Sequence, residues 1–149
     1  EDVTFGMRVA LWEGGWKIFK DYPLTGCGFR CVDLVNSQYP DPTGYVARYR
    51  GMHNNLIQVA VDTGILGATA WLGIWFCFFR FLYHKAIDLG KNVFEHWSIF
   101  GSSAAVLAFL AAGFFETNFY DSEVAMVLFF IMALPFWGTQ NTTKATVKI

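Results

Sequence analysis

Three stretches of the chain are almost continuously apolar. Residues 64–79 carry no charge, and Phe81-Leu82-Tyr83 extend that run past Arg80. Residues 97–115 carry none, and 124–138 are apolar, with uncharged residues continuing to Thr143. A helix rises about 1.5 Å per residue, so a hydrocarbon core of about 30 Å needs roughly 20 residues. The first two runs meet that length; the third is a little short and contains Pro135, which can end or kink a helix. In lipid each run must satisfy its own backbone hydrogen bonds and is expected to be helical. The pattern therefore predicts three spans, at about 64–83, 97–115 and 124–141. Buried helices of a soluble bundle usually keep a polar stripe, which these runs lack.

The first 63 residues read differently. Phe5, Val9, Trp12, Trp16 and Phe19 recur at helical spacing, and Glu13 and Lys17 form an i,i+4 pair on the polar side. This predicts an amphipathic helix over 6–21 near a membrane surface, with Arg8 one turn before Trp12. Tyr22-Pro23 ends it, and Leu24-Thr25-Gly26 turns the chain. Tyr39-Pro40-Asp41-Pro42-Thr43-Gly44 signals a second turn. His53 opens a new periodic stretch, 54–62, with Asn54 or Asn55 as its N-cap. The positive end of a helix dipole disfavours a charged imidazolium, so His53 is expected to be neutral and able to accept a proton. The same terminus attracts phosphate.

Charge sets an orientation. Charged residues are 15% of the 149, against about 25% in an average globular chain. Mean hydropathy is +0.35, which excludes a disordered chain and argues against an ordinary soluble enzyme. A net charge of −1 gives no footprint of a nucleic-acid binder. Arg80, Lys85 and Lys91 lie in the connector between the first two runs, and Lys144 and Lys148 in the tail; the 116–123 connector holds only Glu116, Asp121 and Glu123. The basic connector and the tail are expected on the cytoplasmic side, and residues 1–63 with the acidic connector outside, in the periplasm of a bacterium. Gly101, Ala105, Ala108 and Ala112 fall on one face of the second span and predict close packing against another helix.

Other candidate chemistry is sparse. Three cysteines cannot form a disulfide scaffold, but Cys27 and Cys31, four apart, can form a local bridge; without further ligands they do not predict zinc. Glu116, Asp121 and Glu123 are expected to cap the ends of the spans or to position Asn118, with an alternative base or a metal site as the competing reading. The run from Tyr45 to Arg50 alternates tyrosine with arginine, a pattern that suits an interfacial belt and equally suits sugar stacking with phosphate binding.

Three segments resemble the O-antigen ligase and polymerase superfamily of bacterial membrane glycosyltransferases. The first is Arg8-Val9-Ala10-Leu11-Trp12 followed by Pro23-Leu24-Thr25-Gly26-Cys27-Gly28. The second is His53-Asn54-Asn55-Leu56 through Asp62-Thr63-Gly64-Ile65-Leu66-Gly67. The third runs from Gly113 through Glu116, Asn118 and Asp121 to Glu123. The resemblance implies an all-α integral membrane fold, the C-terminal part of a polytopic bundle of the C-type glycosyltransferase kind. A large periplasmic loop (1–63) would be followed by the three spans and a cytoplasmic tail (64–149), with further spans upstream. It implies a multi-pass protein of the bacterial inner membrane. Such a protein moves a glycan from an undecaprenyl diphosphate carrier to an acceptor hydroxyl, on lipid A core or on another carrier-linked glycan, without metal or cofactor. By resemblance His53 is the base and Arg8 holds the diphosphate; Arg48, Arg50 and Asn54 are further substrate contacts. The chain opens on Glu1-Asp2-Val3, reads as part of a longer protein, and by itself is expected to be inactive. The competing readings are a non-catalytic integral membrane protein, or an inactive fragment that retains the fold. At mid-depth the spans offer only Thr69, Ser102 and Ser103 as polar groups, which counts against transport.

Overall fold

The computed structural model describes residues 3–87 and 93–137. Lys91, the tail lysines and the expected end of the third span at 141 lie outside the described residues. Among the described residues six α-helices follow one another: α1 (Val3–Asp21), α2 (Val32–Val35), α3 (Tyr45–Tyr49), α4 (Asn55–Ile87), α5 (Val93–Ala112) and α6 (Ser122–Trp137). Single 3₁₀ turns lie at Asn36–Gln38 and Asn118–Tyr120, and no strand occurs among the described residues.

Two apolar clusters organise the chain. One joins α4, α5 and α6 through Trp71, Trp75, Phe78, Leu82, Ile99, Val106, Phe109 and Leu128. Phe119, from the turn before α6, fills the space between these helices, edge-on to Trp71, Trp75 and Phe109. Edge-to-face packing of this kind adds about 0.5–1.5 kcal/mol per pair beyond area burial. Ser102 Oγ donates to the Ile131 carbonyl at 2.8 Å, tying α5 to α6. At the far end Phe81 stacks on Phe136, and Lys85 Nζ donates to the Pro135 carbonyl, tying α4 to α6. The second cluster gathers Leu11, Ile18, Cys31, Val32, Val46, Met52 and Val61, and welds the 1–63 region to the start of α4.

The periodic stretch 54–62 and the first apolar run join end to end at a break. The chain is helical from Asn55, but Gly64 breaks the path at φ 66, ψ −167. That backbone region is essentially restricted to glycine. A short helix therefore precedes the break and a long apolar one follows it. The segment 65–87 rises roughly 34 Å and α5 roughly 30 Å, while the 16 residues of α6 rise roughly 24 Å. Two helices, α4 and α5, are long and apolar enough to cross a membrane; α6 is shorter.

The buried face of α1 also differs from the predicted stripe. Leu11 and Ile18 are fully buried, with Gly14 and Gly15 between them letting Val46 and Met52 approach closely. Trp12 donates its indole N–H to the Met52 carbonyl at 3.0 Å. Phe5 and Trp16 of the predicted stripe stay 62% and 59% exposed, and Trp16 stacks on Phe19. The helix has two apolar faces; of the aromatic one Trp12 joins the packed cluster, while Phe5 and Trp16 stay out of it. The small-residue face of α5 is likewise unused within the described residues: Gly101, Ala108 and Ala112 are exposed and Ala105 is half-buried.

Candidate functional site

The three segments that carry the family resemblance meet in space. The turn 23–28 plugs into the break in α4. The Cys27 N–H donates to the Val61 carbonyl and the Gly28 N–H to the Asp62 carbonyl, both at 3.0 Å; the Ile65 N–H donates to the Pro23 carbonyl at 2.8 Å. At the seam, a Cβ on Gly26 would lie 2.3 Å from the Asp62 carbonyl carbon, and one on Gly64 2.3 Å from the Leu24 oxygen. The third segment closes over the start of α4. The Asn55 N–H donates to the Gly113 carbonyl at 2.7 Å, and the Phe119 N–H to Asn55 Oδ1 at 3.1 Å. Asn55 Nδ2 donates to Asn118 Oδ1. Asn118 is thus positioned by Asn55, not by the acidic connector as expected.

Beside this joint lies a polar pocket of about 180 Å³, lined by Arg30, Tyr49, Arg50, Gly51, His53, Gln58, Thr117 and Tyr120. Arg30 (φ 53), Arg50 (φ 53) and His53 (φ 45) are the non-glycine residues with positive φ among those described, and all three line it. The left-handed region costs an L-residue roughly 1–2 kcal/mol. Strain of this kind persists only where surrounding structure enforces it, and it collects at functional sites.

His53 Nδ1 lies 3.0 Å from Glu116 Oε1. A carboxylate only accepts, so Nδ1 is the donor of that contact and Nε2 is the other ring nitrogen. Tyr49 packs edge-on against the imidazole, with ring centroids 5.8 Å apart. Glu116 was expected to cap a span or place Asn118; it orients the histidine instead. Asp121 does cap, accepting the Glu123 N–H at 3.0 Å and the Val124 N–H at 3.4 Å.

The other candidates are distributed differently. Arg50 lines the pocket, and its Nε donates to the Ala47 carbonyl at 3.3 Å. Arg48 is exposed, with its guanidinium over the Tyr49 ring at 5.6 Å. Arg8 does not line the pocket; its guanidinium lies 5.7 Å from the ring centroid of Phe115, the neighbour of Glu116. Its Nε is buried without a hydrogen-bond partner, a situation folded proteins rarely tolerate. Asn54 is the N-cap: its Oδ1 accepts the Ile57 N–H at 3.0 Å, and its Nδ2 donates to the Phe114 carbonyl at 3.1 Å. Both ends of that side chain are used by the fold.

Sequence reasoning passed over Arg30, Gln58, Asp62 and Tyr120. Asp62 is buried, 1% exposed, and ringed by donors: the Arg30 N–H at 3.1 Å, Gln58 Nε2 at 3.1 Å and the Tyr120 hydroxyl. Burial, followed by the negative charge of Asp62, raises the Tyr120 hydroxyl well above its ordinary pKa, so it stays a donor. Gln58 Oε1 in turn accepts the Met52 N–H at 2.9 Å, one residue before His53. Cys27 and Cys31 are joined by a disulfide, Cα–Cα 5.6 Å. Together with Asp62 they are the cluster of metal-ligand type among the described residues. With both sulfurs in the bridge, only the carboxylate is left as a ligand.

Tyr120 also borders a second, apolar groove of about 460 Å³ between α4 and the start of α6, lined by Phe29, Val59, Gly67, Trp71, Ile74 and Phe119 among others. Phe29 stacks on Tyr120, with ring centroids 5.5 Å apart. A polar pocket with two arginines and a histidine thus shares a wall with an apolar groove that runs down the first long helix.

Residues 1–72 match the family model described as O-Antigen ligase. No curated protein and no solved structure matches the chain.

Proposed function

We propose, from the match of residues 1–72 to the O-antigen ligase family model, that the chain is part of a membrane enzyme of surface polysaccharide assembly and that the His53 pocket is where a glycan passes from an undecaprenyl diphosphate carrier to an acceptor hydroxyl. The observation that carries this reading is the convergence of the three strained residues Arg30, Arg50 and His53 on one pocket. The acceptor oxygen attacks the anomeric carbon, the bond from that carbon to the diphosphate breaks, and the hydroxyl proton passes to His53 Nε2. Glu116 holds the ring in that tautomer and balances the imidazolium as it forms, as a carboxylate does in hydrolase triads. Arg30 and Arg50 offer planar forks to the departing diphosphate. Arg8 and Arg48 give further positive charge at the rim. The apolar groove beyond Tyr120 suits the isoprenoid chain, and α4 after Gly64, α5 and α6 would lie in the inner membrane with the pocket on its periplasmic side. The acceptor is lipid A core for a ligase or a carrier-linked glycan for a polymerase.

The test is glycan transfer by full-length protein that inserts and purifies normally. A general base contributes about 10²–10⁴-fold, so His53→Ala should nearly abolish transfer while carrier-lipid binding survives. Transfer at the wild-type rate would reject His53 as the base. Loss of carrier binding along with transfer would make it a ligand contact instead.

A further inference from the structure

The five-residue loop from Cys27 to Cys31 carries two side chains into the two cavities: Phe29 lines the apolar groove and Arg30 the polar pocket. We propose that the Cys27–Cys31 disulfide is a redox-responsive latch that holds Arg30 in the pocket as a ligand for diphosphate. The proposal rests on the reading of that pocket as an anion site.

The loop has three attachments. The Cys27 and Gly28 N–H groups donate to the Val61 and Asp62 carbonyls, and the Arg30 N–H donates to Asp62 Oδ2 at 3.1 Å. The Cys31 N–H closes the turn on the Gly28 carbonyl at 3.1 Å. The disulfide is the covalent closure around them. Arg30 sits between the two cysteines with its backbone in the left-handed region, so it leaves that conformation readily once the closure opens. Reduction also introduces competing donors. Cys31 Sγ lies 3.6 Å from Asp62 Oδ1, the same oxygen that Gln58 Nε2 holds at 3.1 Å, and Cys27 Sγ lies 3.4 Å from the Val61 carbonyl. A Cys31 S–H there competes with Gln58 for Asp62, and a Cys27 S–H competes with the backbone N–H that the Val61 carbonyl already accepts. Gln58 is also the residue that holds Met52, next to His53. The redox state of one bridge therefore reaches both the cation and the base of the pocket.

The chemistry is thiol–disulfide exchange. A small dithiol gives two electrons and two protons to the bridge, leaving two cysteine thiols and the cyclic disulfide of the reductant. The compartment expected for this face of the membrane favours the bridged form.

The experiment measures binding of inorganic pyrophosphate and of farnesyl diphosphate to the whole detergent-solubilised protein, oxidised, reduced with dithiothreitol, and reoxidised. A contact to a charged group is worth about a factor of ten. Reduction should weaken both probes about tenfold and reoxidation should restore them. An effect on farnesyl diphosphate but not on pyrophosphate would place the change in the groove and overturn the latch. Arg30→Ala should bind at the reduced level and no longer respond to reductant. Cys27→Ser/Cys31→Ser should behave the same way, and a double variant that still responds would overturn the proposal. If the oxidised protein binds both probes, Arg30→Ala weakens them, and reduction changes nothing, the latch falls and the pocket stands. If the oxidised protein binds neither probe, the pocket reading falls and takes the latch with it.

Discussion

Glu116 illustrates what one side chain adds once the chain is folded. It lies 63 positions from His53, yet its carboxylate is 3.0 Å from the imidazole, and that contact decides which ring nitrogen can act. Glu116→Gln preserves the shape but removes the charge that balances an imidazolium. It should lower kcat for glycan transfer at least about tenfold with KM for the carrier little changed, and Glu116→Asp should recover part of the loss. An unchanged kcat would reduce Glu116 to a surface ion pair. Arg8 makes a different case, since its guanidinium already rests on Phe115 and its Nε lacks a partner. Arg8→Lys keeps the charge but loses the planar fork. Transfer should drop about tenfold if that guanidinium reaches the diphosphate; equal rates would make it an anchor on the aromatic ring. Of these residues the sequence made His53, Arg8 and Arg50 legible, because a motif or a basic cluster flags them locally. Arg30 and Tyr120 were not legible as site residues, and Glu116 was legible only as one of three carboxylates in its connector, because nothing near them in the chain indicates that the turn 23–28 and the turn before α6 close on the same histidine.

The joint between the turn 23–28 and the break in α4 is where helix geometry becomes site geometry. Both glycines are fixed by contact: Gly26 faces the Asp62–Thr63 backbone and Gly64 faces the Leu24 carbonyl and the Gly26 nitrogen, at distances no Cβ can share. Gly64→Ala adds a clash with the Leu24 carbonyl to a backbone conformation closed to alanine, at a cost of at least about 2 kcal/mol. It should lower Tm in detergent and speed proteolysis in the 23–31 segment, whereas Gly73→Ala, with open space around it, should do neither. A second element is held by charge. Asp41 accepts the Tyr45 N–H at 3.0 Å and the Val46 N–H at 3.1 Å and so caps α3 from the preceding turn. Burial opposes ionisation there, but hydrogen bonds from Thr43, Val46 and Tyr45 outweigh it and lower the pKa below its usual 3.8. A depressed folded value means the stabilisation is present above about pH 4 and is lost as pH falls through the folded pKa. Asp41→Ala should cost about 1 kcal/mol near neutrality and flatten the fall of Tm below pH 4, read by a thermal melt at each pH. The turn at 39–44 and the cap at Asn54 could be read from residue type, since proline, asparagine and aspartate act locally. The packed face of α1 could not: its aromatic stripe is the stronger periodic signal, but Leu11, Gly14, Gly15 and Ile18 have the shape that fits Val46 and Met52. The break at Gly64 falls where the periodic stretch 54–62 meets the apolar run from 64, but its glycine-only geometry was not legible, because it comes from the seam with the distant turn 23–28.

The molecule as a whole has two unlike ends and an apolar flank. The His53 pocket, the loop region and the acidic connector meet at one end of the bundle; Arg80, His84 and the Lys85–Pro135 contact mark the other. Between them Phe76, Trp97, Phe100, Leu107, Met126, Phe130 and Trp137 are all exposed. That is far more apolar surface than a water-soluble monomer shows, and it is the surface that lipid tails or neighbouring helices would cover. The three long apolar runs made this arrangement readable from the sequence, and the distribution of basic residues gives it a direction. The direction can be measured with single cysteines in a Cys77→Ser background, where the Cys27–Cys31 bridge leaves no native thiol to react. Ser122→Cys lies at the exposed start of α6, at the pocket end, and His84→Cys lies on the exposed last turns of α4, at the other. In intact spheroplasts a membrane-impermeant maleimide should label Ser122→Cys and spare His84→Cys, and both should react once detergent opens the membrane. The reverse pattern would put the pocket in the cytoplasm, away from an acceptor assembled outside. Labelling of both in intact cells would mean that α4 does not cross. Either result would remove the periplasmic transfer reaction while leaving the joint between the three segments, and the pocket it builds, as they stand.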